Sequence, residues 1–207
     1  MSDDVEILEK LTPYKGFFRI DRYKLRHRLH AGGWSEPMIR EVFERGNAVG
    51  VLLYDPDRDK VVLVEQFRLP AHLAGRSAWQ LEIVAGVTDG GADESPGDLA
   101  RREAREEAGV AILGPLVPIH RFMPSPGGST EAIELFCGRV DARTAEGIHG
   151  LAEEHEDIKV VTLHYREAMK LVRQQKIENS PALISLYWLA ANRIRLRQMW
   201  NEPPSLV

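Results

Sequence analysis

The amino-acid sequence predicts an α+β, or mixed α/β, fold in which helices cover a mixed sheet. Short apolar runs separated by turn residues predict strands, and a few segments of helical periodicity are interleaved with them without regular alternation. The composition is that of an ordinary globular protein, since 43% of the 207 residues are apolar and 28% are charged. One domain of typical size therefore accounts for most of the chain, and the rest is expected to be a small additional module.

The N-terminal part of the chain is predicted to form a small β-sheet. Residues 16–45 mix aromatic, basic and β-branched side chains, and Ala31-Gly32-Gly33 supplies a turn between two extended stretches. We expect residues 1–46 to be this N-terminal β region and residues 47–207 to form the main domain.

The main domain is predicted to begin with a buried hairpin. Residues 47–54 and 60–67 are apolar runs, and the Pro and Asp residues between them favour a turn. Another short strand is expected at residues 79–84. The stretch 86–97 is rich in Gly, Asp and Pro, so it is expected to be a loop.

The pattern becomes helical after this loop. A helix is predicted over residues 96–108, because apolar residues recur there at helical spacing and Gly109 follows as a stop signal. Further short strands are expected at residues 116–122, 132–140 and 158–163.

The chain is predicted to end in two helices. One begins near Tyr165, and the other follows Ser180, which is expected to act as its cap with Pro181 at the first helical position. The apolar stripe of this last helix is predicted to consist of Leu183, Tyr187, Ala190 and Ile194.

Charge and cysteine content argue against several classes of protein. The 27 Lys and Arg residues against 31 Asp and Glu residues give a formal net charge of −4, without the basic block that nucleic-acid binding requires. Cys137 is the single cysteine, which excludes an internal disulfide and a cysteine-based zinc site. No run approaches the roughly 18 apolar residues of a membrane span, and the acidic start does not fit a secretory signal. We expect a cytoplasmic protein that binds neither nucleic acid nor membranes.

Three glutamates on the predicted 96–108 helix indicate a site for a divalent metal ion. Glu103 and Glu107 are four residues apart and share one face of the helix, and Glu106 flanks them. Like charges at this spacing repel one another, and Mg²⁺ or Mn²⁺ bound by their oxygens would convert the repulsion into coordination. The alternative is a solvated helix face, because seven of the ten residues from 98 to 107 are charged.

The order of residues in this helix resembles the Nudix box, Gx5Ex7REUxEExGU. Seven residues separate Glu94 from Arg102, as the pattern requires, whereas seven residues instead of five separate Gly86 from Glu94. The matching residues of the helical core are Arg102, Glu103, Ala104, Glu106, Glu107, Gly109 and Val110.

Outside the box, the chain is similar to the ADP-ribose pyrophosphatase branch of the Nudix family from Phe17 to about Arg193. The resemblance implies a Nudix fold, hydrolysis of ADP-ribose to AMP and ribose 5-phosphate, and a homodimer whose N-terminal sheets are exchanged between subunits. The motifs that carry it are Gly16-Phe17-Phe18, Arg40 with Phe43-Glu44-Arg45-Gly46, Val64-Glu65-Gln66-Phe67-Arg68, Leu81-Glu82-Ile83-Val84-Ala85-Gly86, Ser125-Pro126-Gly127-Gly128 and residues 147–157.

The resemblance also implies metal ligands and a catalytic base. The base would be Glu154, in a loop that composition alone would make a solvated acidic stretch. Arg102 is expected to brace the acidic cluster. The implied magnesium ligands are Glu103, Glu106, Glu107, Glu156 and the carbonyl oxygen of Ala85.

Contacts with the substrate are implied for five further residues. The guanidinium groups of Arg40 and Arg68 suit phosphate oxygens, and surface ion pairing is the equal alternative. Phe17 would stack on adenine, unless it belongs to a core. Glu131 would lie near a substrate ribose, unless it is an exposed acid at the start of a strand. Ser125 opens a turn that would bring backbone close to the ligand, unless this is an ordinary Pro-Gly turn.

The sequence is also compatible with other functions. The substrate could be another nucleoside diphosphate sugar, such as GDP-mannose or ADP-glucose, although residues 147–157 favour ADP-ribose. A catalytically silent Nudix module that binds ADP-ribose would be expected to lose the box carboxylates, which this chain retains. A structural interaction module would leave the arrangement of acids unexplained.

Overall fold

The structure, a computed structural model, describes residues 3–88 and 94–201 apart from the side chains of Glu154 and Asn201. The chain divides into two compact units. Unit one comprises Met1–Asn47 and Met123–Ala132, and unit two comprises Ala48–Phe122 and Ile133–Val207.

Unit one contains a small antiparallel sheet, which confirms the sheet predicted for the N-terminal region. In spatial order its strands are β1 (Val5–Lys15), β2 (Arg19–His27) and β3 (Met38–Glu44). β1 lies outside the predicted span of 16–45. Its side chains are almost all exposed, so it lacks the buried face that sequence alternation reveals. β1 is held to β2 by the backbone ladder and by polar side-chain contacts, such as that of Lys10 with Asp21. The segment Met123–Ala132 joins this unit through the Phe43 amide, which donates to the Gly128 carbonyl at 2.8 Å.

Unit two contains the predicted mixed sheet. Its strands are β4 (Ala48–Asp55), β5 (Lys60–Phe67), β6 (Trp79–Glu82), β7 (Val84–Val87), β8 (Leu113–Phe122), β9 (Ile133–Arg139), β10 (Ile148–His149) and β11 (Ile158–His164). The spatial order is β10-β11-β5-β4-β9-β8, with β6 paired to β5 and β7 paired to β4. β4 and β9 are parallel, whereas β4 and β5 form the predicted antiparallel hairpin.

The loop expected at residues 86–97 begins later than predicted. Gly86 and Val87 belong to β7, because β4 provides a pairing edge on which Gly86 lies opposite Val49 and Val87 opposite Ala48. The glycine that suggests a loop in the sequence is therefore inside a strand ladder.

Four helices complete the described part of unit two. They are α1 (Leu69–Leu73), α2 (Pro96–Ala108), α3 (Tyr165–Arg173) and α4 (Ser180–Asn201). The bounds of α2 are those predicted for the glutamate-bearing helix. Within the described residues, every helix is too short or too polar to span a lipid bilayer.

Hydrophobic cores lie on both faces of the sheet of unit two. Alternate side chains of a strand point to opposite faces. Val51 and Leu53 of β4 therefore pack in the core that contains the apolar side of α2, whereas Leu52 and Tyr54 pack in the core that contains α3 and α4. α2 thus packs against β4 and β7, and β7 contains Gly86, the glycine of the box.

The predicted start and buried stripe of α4 are wrong. The cap is Asn179 instead of Ser180, since the Asn179 side chain accepts from the Ala182 amide at 3.0 Å. Tyr187 and Ile194 are 56% and 72% exposed. This helix carries apolar residues around most of its circumference, so periodicity alone does not identify the face that packs on the sheet. The buried apolar residues are Ala182, Leu186, Leu189, Leu196 and Trp200.

Candidate active site

The ends of α2 are fixed by local signals in the sequence. The Ser95 hydroxyl caps the helix by accepting from the Asp98 amide at 3.2 Å, and Pro96 occupies the first turn. Gly109 ends the helix in a left-handed conformation with φ 63°, which glycine adopts without a steric penalty. Between these caps, the side of α2 that carries Leu99, Ala104 and Ala108 is buried as predicted.

Glu107 is a buried carboxylate at the centre of the acidic cluster. It is 3% exposed and accepts from the Ala85 amide at 3.1 Å. Burial, followed by the charges of Glu103 and Glu156, raises the pKa of Glu107 to about 8, although the Ala85 amide and Arg68 oppose this shift. The charges of Glu103, Glu156 and Arg68 thus all act on the buried Glu107 carboxylate.

Gly86 lets the Glu103 side chain approach the backbone of β7. A Cβ atom at position 86 would lie 2.3 Å from Glu103 Oε1 and 2.6 Å from its Cδ. These distances are far below van der Waals contact, so a larger residue would push the carboxylate away from β7. The box glycine and the box glutamate therefore fit each other. The two extra residues between Gly86 and Glu94 fall in a stretch that lies mostly outside the described residues.

Arg102 braces the acidic cluster, as expected. Its guanidinium Nη1 lies 2.6 Å from Glu106 Oε2, and its Nη2 lies 3.1 Å from Glu103 Oε1. Nε is 3.1 Å from Glu94 Oε1. The positive charge of Arg102 thus compensates the negative charges of Glu94, Glu103 and Glu106, whereas Glu107 is buried.

The acidic loop that carries the predicted base lies between β10 and β11. Backbone residues 152–154 form a short 3₁₀ turn, which ends at His155 in the left-handed region with φ 56°. The Glu156 carboxylate turns back and accepts from the Leu151 amide at 3.1 Å. The Glu154 side chain lies outside the described part, so its predicted role is carried by the resemblance alone.

Arg68 is held in place by Glu82, an acid to which the sequence assigns no role. Its guanidinium forms a two-pronged ion pair with Glu82, with Nη2 to Oε2 at 2.8 Å and Nε to Oε1 at 3.2 Å. The Arg68 side chain is still 44% exposed. Arg68 therefore forms the ion pair of the alternative interpretation, and its exposed part stays accessible to a ligand. Glu82 is the single acid in the otherwise apolar run 81–84, and this position is the sequence signal that indicates a specific partner for it.

The other four predicted substrate residues belong to unit one. Phe17 is 96% exposed, which excludes its alternative role in a core. Glu131 is only 7% exposed and lies 3.3 Å from Arg45, so it is not the exposed acid of the alternative interpretation. Arg40 is exposed, and its Nη1 donates to the Ile39 carbonyl. The Ser125 carbonyl accepts from the amides of Gly128 and Ser129, so the predicted turn is present.

A cleft of about 380 Å³ lies beside Phe17 in unit one. Lys15, Arg19 and Arg45 line it together with Glu44, so its wall is predominantly basic. An exposed aromatic ring next to cationic groups suits a planar, negatively charged ligand.

The residues around Glu107 fit a divalent cation. Their donor atoms are oxygens, which Mg²⁺ and Mn²⁺ prefer. Burial and the charges of Glu103 and Glu156 raise the pKa of Glu107, so a cation bound there would stabilise its ionised form. Among the described side chains, no three His, Cys, Asp or Glu residues are preassembled around a common point, and Arg102 engages Glu103 and Glu106. Metal binding would therefore exchange ion pairs with Arg102 for coordination.

Comparisons with known proteins agree with this geometry. Residues 44–182 match the NUDIX domain family. The chain is 46% identical to ADP-ribose pyrophosphatase from Escherichia coli (strain K12), over 96% of this chain and 93% of the relative. It is 33% identical to GDP-mannose pyrophosphatase from Pectobacterium atrosepticum, over 90% of this chain and 94% of that relative.

A solved structure of an ADP compounds hydrolase has the same fold. It superposes with a TM-score of 0.71 at 18% identity and covers 94% of this chain and 97% of its own. The family match extends over more than half of the chain, and the sequence relatives extend over nearly all of it. The chain therefore belongs to the Nudix family.

Proposed function

We propose that this Nudix protein hydrolyses the diphosphate bond of ADP-ribose to AMP and ribose 5-phosphate in a magnesium-dependent reaction. The observation that carries the proposal is the buried Glu107 carboxylate, which is coupled to Glu103, Glu156 and Arg68. A relative that is 46% identical is an ADP-ribose pyrophosphatase, whereas a GDP-mannose pyrophosphatase is 33% identical. This difference favours ADP-ribose over other nucleoside diphosphate sugars.

The acidic cluster would hold the metal ions that this chemistry needs. Mg²⁺, for which Mn²⁺ could substitute, supplies positive charge to the phosphate oxygens and makes a water molecule more acidic when bound. The residues assigned to it are Glu103, Glu106, Glu107, Glu156 and the carbonyl oxygen of Ala85. Gly86 supports the assignment, because it keeps the space beside Glu103 open.

The remaining residues bind the substrate and move a proton. A diphosphate repels an attacking water, so the water must be oriented and its proton must be accepted by a base, which we assign to Glu154. Arg68 binds phosphate oxygens, and Glu82 fixes the direction of its guanidinium fork. We assign Arg40 to phosphate as well. Phe17 is assigned to the adenine, Glu131 to a ribose, and the Ser125 turn to a backbone contact with the ligand.

A substrate panel tests the proposed activity. We expect the purified protein with Mg²⁺ to release AMP from ADP-ribose with a kcat/KM at least about tenfold above that for ADP-glucose, GDP-mannose or NADH. Removal of divalent ions with a chelator should abolish the reaction, and Mn²⁺ should restore it. A higher kcat/KM for GDP-mannose would replace the proposed substrate. Tight ADP-ribose binding without turnover would instead identify a silent binding module.

We also propose that the protein is a homodimer in which the N-terminal sheets are exchanged. The support is the apolar surface that β1 and its surroundings leave open in one chain, since Val5, Ile7 and Tyr14 are 51%, 51% and 60% exposed. Sedimentation equilibrium is expected to give twice the chain mass of 23.4 kDa. A truncation that begins at residue 47 should lose the dimer, and a full-length protein that sediments as a monomer would contradict the proposal.

A further inference from the structure

The base of the acidic loop is tied to the C-terminal end of α2. The loop leaves the sheet after β10 and returns in β11, where His149 pairs with Ile158. The Val160 amide also donates to the Gly147 carbonyl at 3.0 Å. Both ends of the loop are thus fixed beside each other, and the short segment between them carries Glu154 and Glu156.

A backbone hydrogen bond connects this loop to the helix that bears the box glutamates. At the end of α2, the amides of Gly109 and Val110 return to the carbonyls of Arg105 and Ala104. The Glu106 carbonyl is one of the final helix carbonyls that have no amide partner within the helix. The Gly150 amide of the loop donates to it at 3.2 Å.

The imidazole of His149 occupies the space beside Gly109 that a side chain would fill. A Cβ atom at position 109 would lie 2.5 Å from His149 Cε1 and 3.1 Å from its Nε2. The ring is also held by a contact with Glu146, whose carbonyl oxygen lies 2.8 Å from Nε2. Gly109 therefore meets two requirements, because it ends α2 at positive φ and it accepts the histidine ring.

Gly150 connects the contact between His149 and Gly109 to Glu156. Gly150 has φ 101°, and a Cβ atom there would lie 2.6 Å from Glu156 Cβ. Glu156 is held to Leu151 twice, since its amide donates to the Leu151 carbonyl and its carboxylate accepts from the Leu151 amide. A displacement of the loop base would therefore move Glu156 relative to α2.

We propose that His149 is a positioning residue, whose ring on Gly109 sets the loop of Glu154 and Glu156 against the helix of Glu103, Glu106 and Glu107. The catalytic part of this inference rests on the proposed function, whereas the docking itself is a property of the chain without metal or substrate. His149 needs no contact with the reacting atoms for this role. It acts through the placement of the acidic loop.

Hydrogen exchange in the metal-free protein tests the docking directly. We expect His149→Ala to increase the amide exchange rate of residues 150–157 by about tenfold, while peptides from β4 and β5 keep the parental rate. Ile148→Ala is the matched control, because Ile148 is the preceding residue of β10 and is 70% exposed. It should leave the loop unchanged. His149→Phe keeps a ring over Gly109 and should recover part of the protection.

Kinetics test the catalytic consequence. His149→Ala should lower kcat for ADP-ribose by about 10- to 100-fold and change KM by less than about threefold, because the loop is misplaced while the binding groups stay. His149→Phe should recover part of kcat. If His149→Ala does not fold, His149→Asn provides the same test, because it removes the ring but keeps a polar side chain at this position of β10.

The outcomes separate this inference from the proposed function. Parental exchange of residues 150–157 in a folded His149→Ala variant would overturn the inference, as would an equal effect of Ile148→Ala. Faster exchange in His149→Ala, together with a parent protein that leaves ADP-ribose intact, would retain the docking and overturn the proposed function. Faster exchange with parental kcat would overturn the positioning role.

Discussion

Glu107→Gln is expected to lower the turnover of ADP-ribose by about 10³-fold, which corresponds to about 4 kcal/mol of activation free energy. Glutamine has the same shape and can still accept from the Ala85 amide, which is 3.1 Å from the native carboxylate. It cannot supply the negative charge that a divalent cation requires. Steady-state release of AMP at saturating substrate and several Mg²⁺ concentrations measures the effect.

The same substitution should not weaken the metal-free fold. Since the folded-state pKa of Glu107 is raised to about 8 from the ordinary 4.5, the folded protein holds a proton that the unfolded chain releases between these values. The free energy of unfolding therefore decreases as the pH rises through this window, and this cost persists above it. Glutamine removes the cost, so Glu107→Gln should be at least as stable as the parent at pH 8 in denaturant unfolding.

A carboxylate at the other end of α2 provides the control for Glu107→Gln. Asp98 lies in the first turn, where it pairs with Ser95. Asp98→Asn should retain parental turnover. Parental turnover in Glu107→Gln would refute the assignment of Glu107 as a metal ligand, and a large loss in Asp98→Asn would show that the assay reports the stability of the helix.

The box helix could be predicted from the sequence because its information is local. Pro96, the acidic first turn and Gly109 mark its ends within the segment itself, and α2 has the predicted bounds. α4 shows the opposite case. Its apolar residues face in several directions, and the sheet of unit two, built from distant segments, determines which of them are buried.

The candidate site could be predicted only in part, for a similar reason. The identities of Glu103, Glu106 and Glu107 follow from their order, but the burial of Glu107 depends on how α2 packs against β7. The pair of Arg68 with Glu82 and the contact of His149 with Gly109 join residues far apart in the chain. The first contact comes from the pairing of β5 with β6 and the second from the packing of α2 beside β10, and a local pattern encodes neither.

Glu154→Gln is expected to lower kcat for ADP-ribose by about 10²- to 10³-fold and to change KM by less than about threefold. The amide can still form hydrogen bonds but cannot accept the proton of the attacking water. Glu153→Gln is the matched control, because Glu153 is an exposed carboxylate in the same 3₁₀ turn. It should retain parental kcat, which would separate the loss of a base from the loss of acidic charge in the loop.

The pH dependence of kcat provides a sharper test of the same role. A base works only when it is deprotonated, so the parent should lose activity as the pH falls through the pKa of the base in the substrate complex. Glu154→Gln should lack this acidic limb, and its residual rate should rise with pH because hydroxide then replaces the missing base. An unchanged acidic limb together with a reduced kcat would assign the proton to another residue. Glu156 would be the next candidate, because its carboxylate lies in the same loop and is coupled to Glu107.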